Sequence, residues 1–513
     1  AAQAKAQRHL RVTGFVRQMA GGLVIAVAAA VLVGTFKPEA LWIAGPILLL
    51  WLVSPLIARV VSEPVSERAA AELTSEDVAK LRLLARRTWL FFEAFVVAED
   101  NWLPPDNYQD DPKPVVEHRT SPTNIGMYLL STVAARDFGW IGTFEMVDRL
   151  EQTLATIDKL EHYRGHLYNW YDTRDLRRLD PAYVSSVDSG NLAGHLLTLS
   201  NACRQMIQQP LPVAAALTGI EDCVALARQA AGAMGGDQRS QTVSLRHLEE
   251  ALRAPAESGD APTTADAWAG RLKELSTYTQ TLSDVASTLA AQRGDGPDSE
   301  LVTWVEAARR AVDSHVRDLA AVAAPAGPSA LPTITDLAEL ADLGINSDEV
   351  QAAVGLVKRL QAVADKSEQL FRETDFTFLF DPTRKLFSIG FRVGEGALDS
   401  SYYDLLASEA RLASFLAIAK GDVPPEHWFR LGRSLTPVGR GSALISWSGS
   451  MFEYLMPALV MHAPENTLLD QTNRLVVARQ IRYGAERGVP WGISESGFNA
   501  RDIAQTYQYS SFG

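Results

Sequence analysis

Two apolar runs separated by three residues constrain this chain more than any other feature. From Met19 to Phe36 nearly every residue is apolar or glycine, and from Ala40 to Val61 a second run is broken chiefly by Pro46 and Ser54-Pro55. Each approaches or reaches the ~20 residues an α-helix needs to cross a ~30 Å hydrocarbon layer. The connection Lys37-Pro38-Glu39 is too short to house a domain, so the two spans form a hairpin with both ends on one side of the bilayer. Lys5, Arg8, Arg11 and Arg17 precede the hairpin and Arg59 and Arg68 follow it, against one lysine in the turn. The bias of Lys and Arg toward the cytoplasmic side puts both flanks inside the cell. Proline inside the second run is tolerated in a membrane but costly in an ordinary soluble helix. The competing reading is a buried helical hairpin of a soluble protein. The chain opens on Ala1 without a leader-like pattern and reads as an internal piece of a longer polypeptide.

The chain has 513 residues in all, ample length for a large core and several structural units. The net charge of −13 argues against a nucleic-acid partner, which needs an extended basic surface. Cys203 and Cys223 make neither a disulfide framework nor a CxxC metal pair. Eleven tryptophans suit either core filling or stacking against the flat apolar faces of sugars.

Helices are expected from Thr74 to about Val97, from Ser121-Pro122 through Val133, and from Thr143 to Leu160, where Met146, Leu150, Leu154 and Ile157 share one face. Between them lie two long aromatic and polar loops, Asn101 to Tyr108 and Leu167 to Asp172, of the kind that carries function. From about Met206 to Glu373 the texture turns to Ala, Gln, Leu, Glu and Arg, and reads as a helical insertion. A hairpin with its turn at Asp381-Pro382 follows, then helices at about Ser400–Lys420, Ser450–His462 and Leu468–Glu486, with a strand pair around Leu435 to Trp447. Many helices and few strands speak for an all-α toroid rather than a parallel sheet. The expected units are a membrane hairpin with cytoplasmic flanks (1–70), the first part of the helical domain (71–205), the insertion (206–373) and the second part (374–513).

Cleaving or moving a glycosidic bond requires two carboxyl groups across it, one protonated and one ionised. Glu495 lies in a short Gly-bounded segment flanked by Trp491 and Phe498, and Glu409 lies in a run that reads as an apolar helix, where an acidic residue is either paired or useful. Arg411 is a poor partner for it on a helix, because residues two apart do not share a face. Glu453 falls in a first helical turn, where capping and catalysis compete as explanations, and Asp188 reads as an N-cap or a binder of sugar hydroxyls. Asp172 and Asp404 rank behind these. His162 and His166 stand four apart but with Gly165 between them and no third ligand nearby, so no metal site is expected. No glycine-rich phosphate loop precedes a helix.

Five segments carry a resemblance. Asp399 to Leu412 (DSSYYDLLASEARL), Trp447 to Tyr454 (WSGSMFEY), Trp491 to Ser496 (WGISES), Ser121 to Gly126 (SPTNIG) and Val187 to Asn191 (VDSGN) resemble the glycoamylase-like region of bacterial cyclic β-1,2-glucan synthases. The likeness runs from the hairpin to the end of the chain, apart from the insertion. Such synthases combine a membrane-embedded glycosyltransferase, this central region and a phosphorylase-like domain. The resemblance implies an (α/α)6 toroid with small β-hairpins that closes linear β-1,2-glucan into a ring by intramolecular transglycosylation. The alternatives are an endo-β-1,2-glucanase-type hydrolase on the same fold and a non-catalytic module that holds the growing glucan. It also implies that Glu409 is the general acid/base and Glu495 the nucleophile, or the reverse. Trp170, Tyr171, Trp447 and Trp491 would stack on sugar rings, Asp188 and Asn191 would bind hydroxyls, and Tyr507 or Tyr509 are candidates for covalently attached glucan. No cofactor is expected here, UDP-glucose and a divalent metal belonging to the glycosyltransferase. The expected partners are the glucan, the lipid bilayer of the bacterial inner membrane, with the soluble part facing the cytoplasm, and other domains of the parent chain. The toroid is expected to be completed by sequence beyond Gly513.

Overall fold

The fold is seen in a computed structural model that describes residues 12–62, 73–109, 113–234, 246–248, 250–252, 262–296, 299–322, 348–439, 441–492, 494, 496–501 and 507–510. The chain divides into two compact units, Ala1–Ser75 and Glu76–Gly513.

In the first unit, α1 (Val12–Gln18) leads into α2 (Ala20–Phe36), and a 3-10 turn at Pro38–Ala40 leads into α3 (Leu41–Ser62), which packs against α2. Pro38–Val60 is long and apolar enough to cross a membrane; α2, with 17 residues, falls short of the ~20 required. The expected pair of full spans is thus seen as one span-length helix and a shorter apolar partner. Its exterior is apolar, with Trp42 and Ile43 almost fully exposed. Pro46 and Pro55 both lie inside α3. Pro55 cannot donate to the carbonyl of Trp51, and the Ser54 hydroxyl takes that place, donating to Trp51 O at 2.6 Å.

The second unit is mainly helical. Its principal core is built from α4 (Ser75–Phe95), α5 (Pro122–Asp137), α6 (Thr143–Ile157) and α7 (Ser186–Ile207), with residues from later helices. Then come α8 (Val213–Ala233), α9 (Ala265–Arg293), α10 (Glu300–Val322) and α11 (Asp348–Glu373). Helices α8, α9 and α10 build two satellite cores of their own, around Trp304 and around Trp268. Helix α11 behaves differently. Although it falls in the stretch that reads as an insertion, its Leu356, Leu360, Val363 and Ala364 are buried in the principal core, where it packs on α7 and α6.

The last part holds α12 (Arg411–Lys420), α13 (Glu426–Arg430), α14 (Met451–Leu455) and α15 (Leu468–Arg487). The expected helix from Ser400 is shorter than the sequence suggested. Tyr402–Tyr403 is a strand paired with Phe387 and Ser388, and residues 405–410 turn before α12 starts at Arg411. The expected hairpin at Asp381-Pro382 pairs Phe380 with Phe387, and Leu435–Val438 pairs with Gly441–Leu444. Helix α7 is the hub. Its Gly190 lets α12 approach so closely that a Cβ at that position would lie 2.4 Å from the Cβ of Ala413.

Candidate functional site

Several helices begin at one place. Ser121 caps α5 by accepting from Asn124 N, with Pro122 at the first helical position, and Ser185 caps α7 by accepting from Asp188 N. Asp188 is therefore the third residue of α7 rather than its cap. Glu409 sits just before α12, and Phe452 lies in α14 beside its cap Ser450. The first turns of these helices wall a cavity of about 530 Å³ whose lining includes Asp106, Thr123, Asn124, Asn169, Trp170, Asp188, Glu409, Phe452 and Ser494. Helix N-termini carry partial positive charge, so the cavity favours carboxylates and polarised oxygen ligands.

Asp188 is held from both sides. Its Oδ1 accepts from the Thr123 hydroxyl at 2.6 Å; with the Asn169 amide turned to the orientation that satisfies both its neighbours, Oδ2 accepts from that amide at 3.0 Å and the amide oxygen accepts from Trp170 Nε1 at 2.9 Å. Burial pushes the Asp188 carboxyl above the ordinary carboxylate range, against the lowering effect of its Ser185 and Thr123 hydrogen bonds. Asn191 is fully buried and does not face the cavity; its Nδ2 donates to Thr123 Oγ1 at 3.0 Å, which directs the Thr123 proton to Asp188.

Glu409 is half-buried in the turn before α12. Its neighbour Arg411 anchors this turn, donating to Ser408 O at 3.1 Å and across to Glu453 O and Tyr454 O at 3.3 and 2.6 Å. Burial pushes the Arg411 guanidinium down to about 10, and the charge of Glu409 works in the opposite direction. Glu409 is not on a helix, so the helical spacing that would separate it from Arg411 is absent here.

The other sequence candidates scatter. The Glu453 carboxylate is buried and accepts from Ser446 Oγ at 3.0 Å, Trp447 N at 3.1 Å, Ser448 N at 2.8 Å and the Ser448 hydroxyl, an arrangement that organises the 446–450 turn. Asp172 caps a turn by accepting from Arg174 N at 2.8 Å, and Asp404 is exposed; neither lines the cavity. Tyr171 is no stacking platform: it is fully buried, accepts from Tyr168 N at 2.7 Å and donates to Glu161 O at 2.5 Å. Trp447 and Trp491 are more than half exposed and lie outside the cavity lining. Glu495 lies outside the described residues; Ser494, beside it in sequence, lines the cavity and accepts from Phe452 N at 3.2 Å. Tyr507 and Tyr509 lie in a strand paired with Ser496–Arg501, and of their side chains nothing is described. His162 and His166 meet no further ligand, and among the described residues no group of three His, Cys, Asp or Glu could hold a metal.

Asp106 lies in the aromatic and polar loop Asn101 to Tyr108 but is not among the candidates the sequence offers. A single aspartate after two prolines carries no chemical signature until the fold sets Arg119 and Asn124 around it.

The chain is 45% identical over 441 residues to cyclic beta-(1,2)-glucan synthase NdvB from Rhizobium meliloti (strain 1021). It is a relative of part of that synthase. The match takes in 86% of this chain but 15% of the synthase, so the chain spans a small share of its relative's length. No known family profile matches. Among solved structures, a putative glucoamylase from Bacteroides caccae has a TM-score of 0.45 at 12% identity, covering 85% of this chain and 75% of that one. An endo-beta-1,2-glucanase from Chitinophaga pinensis, solved with sophorotriose and glucose, also has a TM-score of 0.45, at 8% identity over 86% of this chain and 75% of its own.

Proposed function

We propose that this chain is the region of a cyclic β-1,2-glucan synthase that closes linear β-1,2-glucan into a ring by retaining transglycosylation. The 45% identity to the synthase over nearly the whole chain carries this reading. The cavity adds support, since it brings together Asp188, Glu409 and Ser494 among polar side chains suited to sugar hydroxyls.

In this reading Glu409 protonates the departing glycosidic oxygen while Glu495 attacks the anomeric carbon, leaving a covalent glycosyl-enzyme; the two roles can also be exchanged. The far hydroxyl of the same chain then attacks the anomeric carbon, its proton passing to the acid/base residue, and the carboxylate is released. Ring closure in place of hydrolysis requires that this hydroxyl reach the intermediate before water does. Asp188 is a hydroxyl-binding group in the same cavity. The wider reading has an (α/α)6 toroid, Pro38–Val60 spanning the inner membrane, and the helical unit on the cytoplasmic face. UDP-glucose and its divalent metal are then handled by another domain.

The test is incubation of the protein with linear β-1,2-glucan, followed by mass and reducing-end analysis of the products. Cyclic product without new reducing ends supports the proposal. Reducing ends without rings turn it into a hydrolase, and saturable binding without turnover makes it a holding module. Glu409→Gln and Glu495→Gln should each lower ring formation by at least a hundredfold. Either variant cyclising at the normal rate removes that residue from the mechanism.

A further inference from the structure

Trp170 is held on an unusual mount. The Arg119 guanidinium lies 4.0 Å from the centre of its indole ring, within cation–π range. Arg119 is itself fixed, donating from Nε and Nη2 to Asp106 Oδ2 at 3.2 and 3.0 Å, while Asp106 Oδ1 accepts from Asn124 Nδ2 at 3.2 Å. The indole N–H is tied to Asn169, whose amide also reaches Asp188. Backbone pairing of Arg119 and Thr120 with Asp172 and Tyr171 holds the strand that carries Arg119 against the one that Trp170 immediately precedes. Arg119 is buried and does not line the cavity, whereas Trp170 does. The cation thus covers the ring on one side, while the same residue lines the cavity.

Pyranose rings of β-linked glucose carry their C–H bonds on two flat faces, and such faces stack on aromatic rings. A hydroxyl group at the rim of a stacked unit would find Asp188 and Asn169 next to the indole, so apolar face and polar edge are served together. We propose that Trp170 is the stacking site for one glucopyranosyl unit in the cavity, and that Arg119, clamped by Asp106, is the positioning residue that fixes the ring for it. The inference rests on the reading of the cavity as a glucan site; of the four stacking residues the resemblance implies it retains Trp170, and it adds the device that orients that ring.

The experiment measures binding and turnover of linear β-1,2-glucan by the whole chain, with β-1,3-, β-1,4- and α-1,4-glucooligosaccharides as comparison ligands. Trp170→Ala should weaken binding of the β-1,2-glucan at least tenfold, and Trp170→Phe, which keeps a flat ring, should recover part of the loss. Arg119→Met should raise KM about fivefold with kcat within twofold, and Arg119→Lys should fall between that variant and the parent because lysine keeps the charge without the planar fork. If Arg119→Met fails to fold, the two Trp170 variants decide. Trp170→Ala binding as tightly as the parent overturns the proposal, as does an Arg119→Met variant that lowers kcat and leaves KM unchanged. Should the parent ignore β-1,2-glucan yet bind another glucan in a Trp170-dependent way, the cyclisation reading falls while the stacking site stands. A parent that binds none of these sugars sinks both.

Discussion

Replacing Glu453 tests whether a buried carboxylate next to the cavity serves the chemistry or the scaffold. The structure gives it four donors, two backbone amides and two serine hydroxyls, at a position almost closed to solvent. The hydroxyls have alternatives, since Ser446 Oγ and Ser448 Oγ already accept from Gly449 N and Ser450 N and can rotate their protons elsewhere. The amides of Trp447 and Ser448 do not have that freedom. Hydrogen bonds to a charged acceptor contribute about 1.5–3 kcal/mol each, so Glu453→Ala, which strands both amides, should cost about 3–6 kcal/mol. In Glu453→Gln one oxygen still accepts while the new NH2 group faces a donor, and the cost should be about 2 kcal/mol. Thermal melting should rank parent above Gln above Ala, and amide hydrogen exchange should show Trp447 and Ser448 among the amides that lose protection. A Glu453→Gln protein that melts like the parent, keeps those amides protected and yet has lost turnover would refute the scaffold argument and put Glu453 among the reacting groups.

Two further outcomes follow from the packing. Gly190→Ala should destabilise the helical unit by about 2–3 kcal/mol in chemical denaturation, because the added methyl meets the Ala413 backbone as well as its side chain; Ala413→Gly in the same protein should recover part of this, not all. His166 is buried with Nε2 donating to Asp375 O and Nδ1 accepting from the Ser189 hydroxyl, and burial holds its pKa down to about 4. The unfolded chain takes up this proton below about 6.5, so stability should decline from pH 6.5 toward 4 by about 1.4 kcal/mol per unit from this group; His166→Gln should flatten that slope, and an unchanged slope would remove His166 as its source.

The sequence was most legible where one periodic signal ruled. The helices at Ser75–Phe95, Pro122–Asp137 and Leu468–Arg487 start and stop within a few residues of their expected ends, because caps, prolines and terminal glycines mark them. The run before Arg411 misled because Ala-Ser-Glu-Ala has the composition of a helix, while pairing of Tyr402 and Tyr403 with an earlier strand decides its backbone. Composition alone also hid the loyalty of α11, whose apolar residues repeat at helical spacing whichever core they enter. For the site, Thr123, Trp170, Asp188 and Glu409 lay in segments the reading had marked, and the fold gathers them around one cavity. Tyr171 and Asn191 were plausible by type alone, since nothing local reveals that a polar side chain will spend its hydrogen bonds inside the wall. The mount of Arg119 and Asp106 could not be read at all, as it depends on a contact between loops brought together by the fold.

The return of α11 to the principal core has a consequence for how the chain is made. Helix α7 is complete at Ile207, yet α11, one of the helices packed on it, begins at Asp348, so that side of α7 stays uncovered while about 140 residues emerge in between. The satellite helices can fold during that wait around their own tryptophans. Any attempt to trim them away must therefore rejoin the chain ahead of Asp348, or it will cut out a wall of the house along with the annex.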